Sequence, residues 1–262
     1  MFRRLYSPLL ASITLLAGLA LADRPAAAQA PAAGPAYSGP RYPGGPDSLR
    51  AVVARQLRTA NPAWVGTVLL RLTLDDAGNV HKSSFLTPLP GTPATTLVRN
   101  ADVRMLAKQL VQQQPRWQPS APVADSSPAT AWLTEPTLLL AFGDATAAAA
   151  PLAYSDEYPT FPSFGGRDYG SWQQNLRAFL QKQIRYPAEA LRSQQQGTVY
   201  AYFEVSETGT VENRRVVGSV SPALDAEVQR VLGDLPAART PPRQQGRPVR
   251  VYYVLPLAFK IM

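Results

Sequence analysis

Two short motifs recur in this chain at one fixed separation, and this repeat constrains the fold more than any other feature. Gly66-Thr67-Val68 returns as Gly197-Thr198-Val199, and Gly78-x-Val80 returns as Gly209-x-Val211. Both motifs are displaced by 131 residues, so the distance between them is the same in each occurrence. A repeat on this scale indicates that one supersecondary unit occurs twice.

The later unit begins with a helical pattern and continues with a hairpin. Tyr186-Pro187 interrupts the helix or bends the chain, because the residue before proline is driven out of the helical region. Alternating apolar residues predict a strand over 199–205, a turn over 206–209 and a return strand over 211–217. The apolar face of the helix consists of Trp172, Leu176, Phe179, Leu180 and Ile184.

A second helix and a closing strand complete the later unit. Ser221-Pro222 supplies an N-cap followed by proline at the first helical position. After a loop over 236–248, residues 249–259 have the composition of a strand. The predicted order is therefore helix, strand, strand, helix, strand. The second helix has an apolar stripe of Leu224, Val228, Val231 and Leu232.

The earlier unit has the same order of signals. Asp75-Asp76-Ala77-Gly78 is its hairpin turn, and the last strand is predicted over 134–142. Its first helix carries Leu49, Val52, Val53 and Leu57, its first strand Val68, Leu70, Leu72 and Leu74, and its second helix Val103, Leu106 and Leu110.

These patterns predict an α+β fold made of two small domains, each a three-stranded antiparallel sheet packed against two helices. Segments rich in Ala, Pro and Gly separate them, and such segments bury too little apolar surface to fold alone. The predicted boundaries are a linker over 31–46, a first domain over 47–143, a linker over 144–160 and a second domain over 161–262.

The first thirty residues have the composition of an export signal. Arg3 and Arg4 precede an apolar run over 5–22, and Ala28-Gln29-Ala30 has the small-x-small form of a cleavage site. We expect an exported, periplasmic protein. The alternative is an uncleaved anchor in the inner membrane formed by residues 5–22.

Charge and residue content exclude several functional classes. The chain contains no cysteine, so disulfides and thiol chemistry are ruled out. The formal charge of +8 is scattered rather than concentrated in a basic stripe, so we predict no nucleic-acid partner. His81 has no nucleophile nearby in sequence, which argues against a catalytic role. Asp75-Asp76 is interpreted as part of a hairpin turn. Gly165-Gly166-Arg167 lacks the spacing of a phosphate loop. We predict no enzymatic activity, cofactor or metal.

The later unit resembles the TonB C-terminal domain family. No single element is specific, and the resemblance rests on order and spacing over about a hundred residues. Its elements are Phe161-x-x-Phe164-Gly165-Gly166, Tyr186-Pro187-x-x-Ala190, Gly197-Thr198-Val199, Phe203-x-Val205, Gly209-x-Val211, Leu224-Asp225, Leu235-Pro236, Gly246-x-Pro248-Val249 and Leu255-Pro256-Leu257-x-Phe259. The earlier unit resembles a degenerate copy.

One family element distinguishes the two units. The family has a Trp-x-Pro element after its second helix, which the earlier unit keeps as Trp117-Gln118-Pro119. The later unit has Arg239-Thr240-Pro241 instead, so we expect a core anchor to be missing or replaced there.

The resemblance implies a binding site and partners. Such domains grip an extended peptide, the TonB box of an outer-membrane transporter, and pass on force from an inner-membrane proton-driven motor. The peptide adds to an exposed sheet edge through main-chain hydrogen bonds. The edge-strand candidates are Val249, Arg250, Val251, Tyr252, Tyr253, Val254 and Leu255, and the secondary contact candidates are Gln183, Ile184, Arg185, Tyr186 and Pro187.

Two hypotheses about the function remain at this point. In the first, the protein binds outer-membrane transporters and takes part in TonB-dependent transport. In the second, it is a soluble periplasmic module that binds peptides or proteins without transmitting force. A homodimer is compatible with either. The linker over 23–46 would span only about 70 Å in a polyproline-like state, which is short for an anchored transducer.

Overall fold

In the computed structural model of the protein, residues of the earlier unit form a three-stranded sheet. The structure describes residues 34–88, 90–119, 135–143, 150–162 and 172–261. The predicted export signal and the Gly165-Gly166 opening lie outside these ranges. The strands are β1 (Gly66–Leu74), β2 (Val80–Phe85) and β3 (Thr137–Phe142), all antiparallel in the order β2-β1-β3.

Helices cover one face of this sheet. They are α1 (Gly45–Leu57), α2 (Pro93–Arg99) and α3 (Ala101–Gln112). The alternate side chains Val68, Leu70 and Leu72 point into a buried core with Leu49 and Val53 of α1, which confirms the predicted helical and strand periodicities. The sequence patterns did not predict α2, whose N-cap Thr92 accepts a hydrogen bond from the Thr95 N–H.

The later unit forms a second sheet with the same arrangement. Its strands are β4 (Gly197–Val205), β5 (Val211–Gly218) and β8 (Val251–Phe259), in the order β5-β4-β8. The helices are α4 (Trp172–Gln183), α5 (Ala188–Arg192) and α6 (Pro222–Gly233). Two residue pairs, β6 (Arg243–Gln244) and β7 (Arg247–Pro248), make a small hairpin in the predicted loop.

Local signals explain where these elements begin and end. Pro187 is the N-cap of α5, so the chain turns at Tyr186-Pro187 as predicted. The Ser221 hydroxyl accepts a hydrogen bond from the Leu224 N–H and caps α6. The closing strand starts at Val251, two residues later than predicted, so Val249 and Arg250 precede it.

The faces of the two sheets that are turned away from the helices meet each other. Leu69 and Leu86 of the earlier unit pack with Tyr202 and Tyr252 of the later one in a shared apolar cluster. The Ser219 N–H donates to the Thr87 carbonyl at 2.8 Å. All described residues belong to one compact unit, with helices outside and two sheets inside.

The segments predicted as linkers contain buried residues, contrary to the composition argument. Tyr42, Leu152, Tyr154 and Tyr158 are buried in the two helix-backed cores. The Tyr37 ring stacks on that of Tyr154 with centroids 4.6 Å apart. Large side chains spaced between Ala and Pro supply the apolar surface that the average composition conceals.

Candidate functional site

β8 lies at the edge of the second sheet, as a strand-adding site requires. Its odd-numbered residues bond to β4, and Val251, Tyr253 and Leu255 point into the core. The backbone groups of the even-numbered residues therefore face away from β4. These outward groups belong to Tyr252, Val254, Pro256 and Ala258.

The chain itself occupies the beginning of this edge. Leu152 lies beside Val251 in a parallel bridge. Its N–H donates to the Arg250 carbonyl at 2.9 Å, and its carbonyl accepts from the Tyr252 N–H at 3.1 Å. The Leu152 side chain is 3% exposed and belongs to the core of the second sheet. One residue of the predicted linker thus acts as a short added strand.

Side chains of α4 cover the far end of the same edge. The Gln181 amide donates to the Ala258 carbonyl at 2.8 Å and accepts from the Ala258 N–H at 3.1 Å. The Arg177 Nε donates to the Pro256 carbonyl at 3.2 Å, and proline has no N–H to satisfy. Burial lowers the pKa of the Arg177 guanidinium.

Val254 lies between the two covered ends. Among the residues that the structure describes, neither its N–H nor its C=O has a hydrogen-bond partner. Its side chain packs partly against the cluster between the sheets. The uncovered part of the β8 edge, among the described residues, therefore consists of the Tyr252 carbonyl and both backbone groups of Val254.

Arg250, one of the edge-strand candidates, lies within an ion-pair network. Its guanidinium is 3.0 Å from Glu212, 3.5 Å from Glu204 and 3.7 Å from Glu207. Glu204 is buried and also accepts a hydrogen bond from the Tyr202 hydroxyl at 2.7 Å. The network ties the start of β8 to the hairpin of β4 and β5.

The two tyrosines of the predicted edge point to opposite sides and are both buried. The Tyr252 hydroxyl reaches the first sheet and donates to the Thr137 carbonyl. Tyr253 packs against Phe203 in the core, with ring centroids 5.4 Å apart. Burial raises the pKa of both hydroxyls, so both stay protonated donors at neutral pH.

The secondary contact candidates lie at the opposite end of β8. The Tyr186 ring meets Phe259, the last residue of the strand, with centroids 5.6 Å apart. The Arg185 N–H donates to Glu227 of α6 at 2.6 Å, and Arg230 donates to the Gln183 carbonyl at 2.9 Å. Ile184 packs partly against the core, and Pro187 caps α5. This segment braces α6 and does not meet residues 249–252.

Sequence reasoning missed three residues that define this edge, namely Leu152, Arg177 and Gln181. Leu152 was missed because it follows an Ala/Pro run. Arg177 and Gln181 stand four residues apart, a spacing that puts both on one face of a helix. That spacing was visible, but it does not reveal which strand the face meets.

The place of Trp117 in the later unit is taken by alanine and not by Arg239. The Trp117 N–H donates to the Gly78 carbonyl at 2.8 Å, and the Ala238 N–H donates to the Gly209 carbonyl at the same distance. Gly78 and Gly209 have φ of 82° and 85°, a region that favours glycine at both turns.

The other chemical candidates have structural surroundings that explain them. Asp75 accepts a hydrogen bond from the Asn79 N–H at 2.8 Å, which confirms its turn role. His81 is exposed on β2. Within the described ranges, no group of three or more His, Asp or Glu residues lies close enough to hold a metal ion. No described helix combines the length and hydropathy needed to span a bilayer.

Comparisons with known proteins single out the later unit. Residues 182–261 match the family described as Gram-negative bacterial TonB protein C-terminal. Among solved structures, the C-terminal domain of HasB is similar at 30% identity over 38% of this chain and 76% of that one. The TM-score of that match is 0.24, so the superposition supports no structural argument. No curated protein matches the chain significantly.

Proposed function

We propose, on the premise that residues 182–261 form a domain of the TonB C-terminal family, that this is a TonB-like protein of TonB-dependent transport. In this proposal its β8 edge binds an extended peptide of an outer-membrane transporter by strand addition. The partner is the TonB box of that transporter, and the binding residues are those of 249–255.

The parallel pairing of Leu152 with β8 is the observation that carries this proposal. The Arg250 carbonyl and the Tyr252 N–H already hold an extended segment through two backbone hydrogen bonds. The same groups, together with those of Val254, would bind a foreign extended peptide in the same way. A peptide that uses Tyr252 has to displace Leu152 first.

A second candidate function is favoured by the same contact. Leu152 is fully engaged in the core, so displacing it costs apolar burial as well as hydrogen bonds. A permanently closed edge suits a soluble periplasmic interaction module that transmits no force. In that case the protein binds its partners at surfaces other than residues 249–252.

The earlier unit is, in our proposal, a degenerate copy of the later one. Both sheets place the first strand of the hairpin at the centre and the last strand at one edge. Gly66 pairs with Phe142 as Gly197 pairs with Phe259. The relationship makes β3 the counterpart of β8 and α1 the counterpart of α4.

Export to the periplasm is part of the proposal. Cleavage or retention of residues 1–30 decides whether the protein is free in the periplasm or anchored in the inner membrane. Cleavage after Ala30 would leave an adaptor or competitor that receives no force directly from the inner membrane. Retention of residues 5–22 as an anchor would allow contact with a proton-driven motor. N-terminal sequencing of the protein from fractionated cells distinguishes a chain starting near Pro31 from one that retains Met1.

Peptide binding at β8 is tested with a labelled TonB-box peptide and the full chain. Val254→Pro removes an outward N–H that bonds to no described residue, so the sheet should persist while affinity falls about tenfold, the value of roughly one lost hydrogen bond. Val254→Ala is the matched control and should bind as wild type. Equal affinities for the proline variant and wild type would remove β8 as the binding edge.

A further inference from the structure

The segment that covers the start of the β8 edge, residues 150–160, forms a strap between the two units. Its side chains enter the cores of both. Leu152 and Tyr158 are buried in the core of the later unit, whereas Tyr154 is buried in the core of the earlier one. The position of Leu152 on β8 therefore depends on what holds the rest of the strap.

The later unit holds the far end of the strap. The Glu157 N–H donates to the Arg243 carbonyl at 3.0 Å, and the Arg243 N–H donates to the Glu157 carbonyl at 3.1 Å. The Asp156 N–H donates to the side-chain carbonyl of Gln244 at 3.0 Å. These hydrogen bonds fix residues 156 and 157 and do not involve residues 152–154.

The N-terminal segment 35–40 pairs with the opposite side of the strap. Ala36 and Glu157 form an antiparallel bridge. The strap is thus the middle row of three, with residue 36 on one side and residue 243 on the other. Two backbone hydrogen bonds of 2.8 Å flank the bridge, from the Tyr37 N–H to the Asp156 carbonyl and from the Tyr158 N–H to the Pro35 carbonyl.

Tyr154 links this N-terminal segment to the part of the strap that lies next to β8. Its ring stacks on that of Tyr37 with centroids 4.6 Å apart, and its hydroxyl accepts a hydrogen bond from the Tyr42 N–H at 2.8 Å. One residue separates Tyr154 from Leu152, whose N–H and C=O bond to β8. A displacement of Tyr154 therefore moves the Leu152 backbone as well.

The segment 35–40 is held weakly on the strap and firmly at its other end. The ion pair between Arg41 and Asp156 spans 3.3 Å with both side chains 38% exposed, so it contributes little. By contrast, Tyr42 is buried in the core of the earlier unit, and Arg41 exchanges two backbone hydrogen bonds of 2.9 Å with Gln118. Residues 35–40 can thus leave the strap while Tyr42 keeps them attached to the earlier unit.

We propose that residues 35–40 are a releasable latch on the strap, and that their release loosens Leu152 and opens the start of the β8 edge to an extended peptide. The proposal rests on the proposed function for the identity of that peptide, and it adds how access to the site is regulated. Residues 35–40 lie on the N-terminal side of Tyr42, so a load applied from the N-terminus breaks the bonds of the latch before those of Tyr42. In the anchored form of the protein, tension from the inner membrane would thus open the edge.

A reversible cross-link tests the latch in the full chain, because the protein contains no cysteine. Ala36→Cys combined with Glu157→Cys puts two thiols at a non-hydrogen-bonded pair, where the Cα atoms are about 4.5 Å apart and a disulfide can form. The readout is hydrogen exchange of the Tyr252 amide, which donates to the Leu152 carbonyl. Exchange should be about tenfold slower in the oxidised double variant than in the same chain reduced with dithiothreitol, which is the matched control.

Tyr37→Ala tests the opposite change. Loss of the stacked ring should release the latch and make the Tyr252 amide exchange about tenfold faster than in wild type. Tyr37→Phe keeps the ring and should exchange as wild type. The amides of Tyr253 and Leu255, which bond to β4, are the internal reference and should keep their protection in every form.

Affinity for a labelled TonB-box peptide separates the latch from the proposed function. The peptide should bind about tenfold more tightly to Tyr37→Ala than to wild type, and about tenfold more weakly to the oxidised double variant than to the reduced one. If exchange of the Tyr252 amide follows the latch but no form binds the peptide, the latch stands and peptide binding at β8 is wrong.

Two outcomes would overturn the latch. Equal exchange of the Tyr252 amide in the oxidised, reduced and Tyr37→Ala forms would show that Leu152 is held independently of residues 35–40. A change in peptide affinity without a change in this exchange would show that the segment acts on the peptide directly and not through Leu152.

Discussion

The edge strands β3 and β8 occupy the same place in two similarly built sheets, yet different residues cover them. β8 is covered by Leu152 from a distant segment and by Arg177 and Gln181 from its own helix. Among the described residues, the Tyr252 hydroxyl is the group that bonds to the outward backbone of β3. Whether an edge accepts a partner is thus decided by what lies beside the strand and not by the strand itself.

The hairpins provide a second contrast between the two units. Trp117 closes the turn of the first hairpin with a side chain that is 1% exposed, and it packs edge-on against Tyr42 with centroids 5.2 Å apart. Ala238 makes the same backbone contact in the second hairpin with a methyl group alone. The earlier unit therefore relies on one large anchor that the later unit does not have.

Removal of this anchor should have the largest effect on stability. We expect Trp117→Ala to lower the free energy of unfolding by about 3–5 kcal/mol, because a buried indole leaves a cavity. Ala238→Gly, the matched change in the other hairpin, should cost about 1 kcal/mol. Urea unfolding followed by circular dichroism measures both. Equal losses in the two variants would contradict the contrast between the hairpins.

The second-largest loss of stability is expected when the side chain of Leu152, the residue added to the β8 edge, is shortened. Leu152→Ala should cost about 2–4 kcal/mol, since the side chain is buried in the core of the second sheet. The same variant should bind a TonB-box peptide more tightly than wild type, because less burial is lost when the peptide displaces residue 152. Leu191→Ala, at an exposed position on α5, is the control for both measurements. An unchanged peptide affinity in Leu152→Ala would argue against displacement.

The hydrogen bonds that Gln181 of α4 makes with the β8 edge should contribute less to stability. Gln181→Ala leaves the N–H and C=O of Ala258 without partners and should cost about 1–2 kcal/mol. The reciprocal change, Ala54→Gln, is made after the core residue Val53 of α1, as Gln181 follows the core residue Leu180 of α4. It fills no core space and should alter stability by less than about 0.5 kcal/mol. Thermal unfolding of the two single variants and the double variant tests whether the effects are independent. A loss in Ala54→Gln as large as that in Gln181→Ala would show that the helices are not equivalent.

The smallest expected difference in stability is between the variants that break the ion pairs of Arg250 and of Arg50. Arg250→Gln leaves the buried Glu204 without its cation and should cost about 1–2 kcal/mol. Arg50→Gln breaks an exposed pair with Asp47 and should cost about 0.5 kcal/mol or less. Chemical denaturation at low and high salt measures both. A similar cost for both variants would remove the network at the start of β8 as a stabilising feature.

Sequence patterns predicted the strands and helices of both units, but they did not predict which residues cover the edges of the sheets. Hairpin spacing and apolar periodicity placed β1, β4 and the helices, because burial on one face leaves a local pattern. The covering of β8 depends on Leu152, about a hundred residues away along the chain, and on α4 side chains whose target strand is set by packing. Residues 150–158 were interpreted as linker because average composition hides the few large side chains that bury themselves.

Amide hydrogen exchange of the full chain, followed by NMR, tests the difference between the two edges most directly. Tyr252 and Ala258 donate outward N–H groups to partners, whereas that of Ala141 bonds to no described residue, although its side chain is buried. We predict that the Ala141 amide exchanges about 100-fold faster than those of Tyr252 and Ala258. Equal protection of Ala141 and Ala258 would contradict the account of two edges whose outward amides are bonded differently.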